Sequence, residues 1–139
     1  VTWTFERRLL GAAVLAWTAV AVVNLLLGPA LGHDEAAFAI VARGDAVSWL
    51  YRSRGVAVLA ELGIALGGAE WQMRLASTIA GIAVVPAAFA VGRAAFGNTT
   101  GAWAAAVIAG AHPMAARSAQ LLGDLPATAC LLAGIAVLI

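Results

Sequence analysis

The sequence predicts an all-α membrane protein: four transmembrane helices and a long first loop containing interfacial helices. Three observations lead there. The chain is 63% apolar, only 11% charged, and has a mean hydropathy of +0.96, well outside the usual composition of a soluble domain. Four apolar stretches, at about 9–27, 75–91, 100–116 and 125–139, are separated by segments that hold the charged residues. One substantial extramembrane loop, 28–70, lies between the first two. Residues 1–139 therefore read as a single transmembrane module, with no internal repeat.

The first stretch is the clearest. Leu9 to Leu27 has only Thr18 and Asn24 as polar interruptions, and at 1.5 Å per residue it crosses a hydrocarbon core of roughly 30 Å. It is too long for the apolar part of a cleaved signal peptide, and no small-x-small site precedes a polar mature segment. In the loop that follows, Asp34 can cap a helix running through Phe38, Ile40 and Val41 to Arg43, with charges placed to suit the helix dipole. Gly55 to Leu66 is a second apolar segment carrying one charge, Glu61; too short to span, it reads as a helix in the interface. Gly67-Gly68 breaks the chain before Trp71 and Arg74 anchor the second span.

Pro86 should bend that second span, and Gly97-Asn98 should turn the chain into the third. The later spans are rich in Ala and Gly, and Gly81, Ala104, Ala105, Gly110 and Gly134 would let neighbouring backbones approach. Trp3, Trp71 and Trp103 fall near span ends, where indoles favour the interface; Trp17 is mid-span and should pack against a helix or lipid. The fourth stretch stops while still apolar, which suggests a short shielded span or a chain that continues.

All eight basic residues are Arg, and the net charge is +1. That gives no basic stripe, so nucleic acid is set aside as a partner. Cys130, the single cysteine, should be a small core residue of the fourth span. Arg7 and Arg8 before the first span place the N-terminus in the cytoplasm, although Arg43, Arg52, Arg54, Arg74 and Arg117 on the other side outnumber Arg7, Arg8 and Arg93. Most of the opposing arginines sit in the long loop, where charge governs topology less strongly. By crossing parity, Asp34 and Asp124 then emerge on the same, outer face.

The motif order carries a family likeness. Gly32-His33-Asp34-Glu35-Ala36-Ala37-Phe38 through Val41-Ala42-Arg43, then Glu70-Trp71-Gln72-Met73-Arg74-Leu75-Ala76-Ser77, Gly92-Arg93 to Phe96-Gly97, His112-Pro113 with Arg117-Ser118, and Gly123-Asp124-Leu125-Pro126 follow one another along nearly the whole chain. In order and spacing they resemble the N-terminal part of the polyprenyl-phosphate-sugar glycosyltransferases of the GT-C fold, the relatives of protein O-mannosyltransferases and aminoarabinose transferases in glycosyltransferase family 39. The resemblance implies a bacterial inner-membrane enzyme that moves a sugar from a polyprenyl-phosphate donor to an acceptor, with inversion. It implies Asp34 as catalytic base, with Asp124 as the second acid beside it. It offers Arg52, Arg54 and Arg117 to stabilise the developing phosphate charge and Glu35 as a further substrate-binding residue.

Other readings stand beside these. Asp34 can be an ordinary helix cap, and Asp124, close before Pro126, is how many helices begin. Glu35 by itself reads as facing solvent or stabilising the helix start. His33 could join a divalent metal with the carboxylates, but one His beside acids is a poor metal signature, and no metal ligands are assigned. The family's adjacent prolines are replaced here by Arg52-Ser53-Arg54-Gly55-Val56, and its enzymes have many more spans. The alternative is therefore a non-catalytic small subunit that packs its Ala- and Gly-rich helices against other membrane subunits. The chain alone is expected to need such a partner and to be inactive. A transporter is a weaker third reading, since no charge lies mid-span.

Overall fold

A computed structural model of the chain describes residues 4–44, 54–121 and 123–139. Among these residues there are helices and no strands: α1 (Phe5–Leu27), α2 (His33–Ala42), α3 (Arg54–Ala65), α4 (Glu70–Ile82), α5 (Val84–Phe96), α6 (Asn98–Ala109), α7 (His112–Arg117) and α8 (Asp124–Leu138). Trp3 and Arg52 lie outside the described residues. The all-α class is as the sequence predicts, and four rods pack together: α1, α4 with α5, α6, and α8.

Two of these rods are long and apolar enough to cross a membrane, Phe5–Leu27 and Glu70–Phe96. In α1 the lone side-chain amide, near the C-terminal end, is satisfied locally, Asn24 Nδ2 donating to the Val20 carbonyl at 2.9 Å. The helix stops where Pro29 forces the residue before it into extended backbone, Gly28 having φ −67° and ψ 164°. A side chain on Gly28 would run into the Asn24 carbonyl. Pro86 interrupts the second rod as expected: it has no N–H to give and its ring crowds the Ile82 carbonyl, and α4 gives way to α5 at Ala83.

The third stretch departs from expectation. A single helix over 100–116 is not formed; α6 ends at Gly110, and α7 starts afresh at His112, with Pro113 in its first turn. At 1.5 Å per residue the 12-residue α6 rises only about 18 Å and the 15-residue α8 about 22 Å, both short of a hydrocarbon core. The loop segment predicted to be helical at 55–66 is α3, and Gly67 and Gly68, at φ +133° and +77°, end it. The Gly68 N–H reaches the Gly63 carbonyl at 3.1 Å and the Gly67 N–H the Ile64 carbonyl at 3.0 Å. This is a Schellman closure that a residue with a Cβ would resist.

Small residues are used inside the chain rather than on its outside. The core between α1, α5, α6, α7 and α8 gathers Ala13, Trp17, Ala21, Val84, Val85, Ala105, Ala115, Leu125 and Ala129. Trp17 fills it with no exposed surface, so it packs against helices and not lipid; its indole N–H has no acceptor among the described residues. Gly81 lies against Ser118, 2.5 Å from where a Cβ would meet that side chain. Gly92 and Gly101 bring α5 and α6 into backbone contact: a Cβ at Gly92 would sit 2.9 Å from Gly101 Cα, and one at Gly101 2.6 Å from the Phe89 carbonyl oxygen. Gly110 instead caps α6, and Gly134 faces open space with nothing within 4 Å. Cys130 is also exposed, not a core residue: α8 turns this side outward together with Leu131.

These contacts give a paired expectation. Gly101→Ala should cost about 1–3 kcal/mol, because the facing backbone cannot yield. Gly134→Ala should leave stability unchanged or raise it, since only helix propensity is at stake. Thermal unfolding of both variants in detergent checks the contrast; equal midpoints would mean that α5 and α6 do not meet at Gly101.

Candidate functional site

At one end of the bundle an ion pair ties together segments far apart in sequence. Glu35, in the first turn of α2, is only 5% exposed and Arg74 of α4 only 4%. Arg74 Nε donates to Glu35 Oε1 at 2.8 Å, and Nη2 donates to Oε2 at 2.9 Å. This is the two-pronged geometry in which guanidinium and carboxylate match best. The remaining donor, Nη1, reaches the Pro29 carbonyl at 3.0 Å.

The carboxylate is satisfied further by backbone. The Gly32 N–H donates to Oε2 at 3.0 Å, and the Leu121 N–H to Oε1 at 2.7 Å. The Gly32 bond closes the start of α2 in the manner of a capping box, with the acid at N3. Burial alone would push the Glu35 carboxyl up. Hydrogen bonds from Arg74 and from the Gly32 and Leu121 N–H groups, with the Arg74 charge, outweigh it and hold the carboxyl below its usual value.

This lock fixes where the other residues sit. The Leu121 bond draws the α7–α8 link onto the start of α2, and Leu121 joins Phe38, Val56 and Ala60 in a small core between α2 and α3. Ser77 Oγ donates to the Gln120 carbonyl at 2.9 Å, fastening the same link to α4. The turn that carries Asp34 and the link that leads into Asp124 therefore lie at the same end of the bundle. Asn24, Pro29, Arg74, Ala116, Ala119 and Gln120 line a hollow of about 30 Å³ there.

Asp34 and Asp124 are both exposed, each in the first turn of its helix. Gly32, not Asp34, is the N-cap of α2; the capping assigned to Asp34 is done by Glu35 from N3. Glu35 stabilises the helix start as expected but does not face solvent, and with its oxygens engaged by Arg74 and two N–H groups it is poorly placed to bind a substrate. Arg117 and Asp124 line one cleft of about 110 Å³ with Met114, Leu125 and Thr128. That is small beside the few hundred Å³ typical of ligand clefts. Arg54 opens α3. Among the described residues no three His, Cys, Asp or Glu side chains gather to hold a metal.

Arg74 reads from sequence alone as a span anchor, and its role in this site is not visible there. Glu70, four residues before it in α4, is the local partner that helical spacing would suggest, yet Arg74 turns inward to Glu35. The available signal was the arginine's position at the very edge of an apolar stretch, where a charge must find a partner.

No known family model, curated protein or solved structure matches the chain. The family likeness rests on the sequence motifs alone.

Proposed function

We propose that the chain is the N-terminal, acid-bearing module of an inverting glycosyltransferase that takes a sugar from a polyprenyl-phosphate donor at the outer face of a bacterial inner membrane. The observation that carries this reading is the Leu121 N–H to Glu35 contact of 2.7 Å, which keeps the Asp34 turn and the approach to Asp124 together. Asp34 is the general base: it takes the proton of an acceptor hydroxyl or amine as that atom attacks the anomeric carbon from the side opposite the departing phosphate. Asp124 supports it, and Arg117 faces the developing phosphate charge across the cleft it shares with Asp124.

The membrane setting is part of the proposal. Support comes from the two long apolar rods and from what lies at their ends. Phe5 and Trp103, both exposed, meet with tilted rings at a centroid separation of 6.3 Å at the end where Arg7, Arg8 and Arg93 sit, and the exposed Trp71 marks the other. Between these belts the exposed side chains are apolar, among them Leu15, Val22, Val107 and Leu131. In this setting α6 and α8 are short third and fourth spans, a mismatch that local thinning of the bilayer accommodates, and the N-terminus is cytoplasmic. The alternative, a small subunit whose glycine faces need other membrane subunits, has less support because Gly81, Gly92 and Gly101 are already covered within the chain.

The test is transfer itself. The full enzyme that carries this module, reconstituted in membranes and given polyprenyl-phosphate sugars and a panel of hydroxyl and amine acceptors, should form a glycoside of inverted anomeric configuration. A product of retained configuration, or no product across the panel, would overturn the assignment.

A further inference from the structure

The other end of the bundle carries features that the proposed reaction does not use. Thr4, Glu6, Arg7 and Leu10 of the α1 start, Phe89 and Arg93 of α5, and Asn98 of α6 enclose a cleft of about 370 Å³. A second hollow of about 450 Å³ shares Phe89 and Arg93 with it and is otherwise lined by alanines, Ala90, Ala94 and Ala136, between α5 and α8. Arg93 thus stands where a polar cleft meets an apolar groove. Arg7 and Arg93 are exposed, and no carboxylate among the described residues pairs with either. Glu6, the acid in the cleft, is engaged by the Thr99 hydroxyl at 3.2 Å.

We propose that this end seats one anionic phospholipid, its phosphate between Arg7 and Arg93 and the first part of an acyl chain along Phe89, Ala90 and Ala136. Charge complementarity selects the occupant. Two unpaired guanidiniums against one engaged carboxylate leave the cleft cationic, and a guanidinium meets phosphate oxygens in paired hydrogen bonds. A soluble anion would use only the polar half, whereas a phospholipid fills both halves, with its phosphate at the height of the Phe5 and Trp103 belt. The site lies at the end opposite Asp34 and Asp124, so it is not a donor site for the transfer proposed above. The inference does rest on the membrane reading.

The experiment is designed to separate the two. The chain is first floated with vesicles of neutral phosphatidylcholine, then studied in such vesicles doped with spin-labelled phosphatidylglycerol or spin-labelled phosphatidylcholine, the motionally restricted fraction of each label being measured. The protein should float, and the anionic label should be restricted in preference. Arg93→Gln and Arg7→Gln should each reduce the preference about fivefold. Glu6→Gln should increase it, and Arg43→Gln, at the opposite end, should leave it unchanged. Failure to float overturns the membrane reading and this site with it. Flotation without preference for the anionic label, or a loss in Arg43→Gln equal to that in Arg93→Gln, overturns the site alone.

Discussion

Replacing Arg74 by Met should lower the stability of the fold by about 3–5 kcal/mol at neutral pH. The cost arises less from the lost attraction than from what remains: a carboxylate on Glu35 still buried, still held by two N–H groups, and no longer neutralised. The pH dependence identifies this cause. In the native protein the Glu35 carboxyl is held below its usual value, so its contribution is present above about pH 4 and is lost as the pH falls through the lowered folded value. In Arg74→Met burial dominates and raises the carboxyl, so the penalty is greatest at neutral pH and shrinks in acid. Unfolding midpoints of the two proteins in detergent should therefore converge below about pH 4. A gap constant from pH 7 to pH 3 would mean that Arg74 acts through packing and that the ion pair is incidental.

In the full enzyme that carries this module, Asp34→Asn should reduce sugar transfer about 10²- to 10⁴-fold with little change in stability. The residue is exposed at the second position of α2, and the helix start is held by Gly32 and Glu35, so an amide there keeps the fold within about 0.5 kcal/mol. What it cannot do is take a proton. The loss should fall in turnover rather than in acceptor binding, since the base acts only as the bond forms. Asp124→Asn, beside Arg117 in its own cleft, should lose less. Near-normal turnover in Asp34→Asn would remove the residue from the mechanism, whatever the fold of the variant.

Much of this architecture was legible because it depends on local chemistry. The apolar run of α1, the stop at Gly28-Pro29, the break ahead of Pro86 and the close of α3 at Gly67-Gly68 each follow from backbone rules acting within a few residues. The break between α6 and α7 was not legible. Gly110 and Pro113 both lie within an apolar stretch, and hydropathy does not register that an Ala-rich segment can leave its helix there. Cys130 was misplaced for a similar reason. An apolar helix with little polarity on any face does not reveal which side packs, and α8 presents this one outward.

The site divides in the same way. That Asp34 and Asp124 belong at one end follows from counting crossings. That Glu35 is buried and Arg74 is its partner depends on a contact across 39 positions, and the bond to Leu121 spans 86. No local pattern specifies contacts over those separations. They emerge only once α1, α4 and α7 have packed and left a charge at the edge of the apolar region in need of neutralisation.

The proposed site requires the turn bearing Asp34 and the link into Asp124 to share one face of a membrane. In a Cys130→Ser background, single cysteines at positions 34 and 124 can be labelled in right-side-out membrane vesicles with a thiol reagent that does not cross the bilayer. Both positions should react from the outside, at comparable rates and without permeabilisation. If one reacts only after the vesicles are opened, the two acids lie on opposite faces, and neither the shared site nor the proposed transfer reaction can stand.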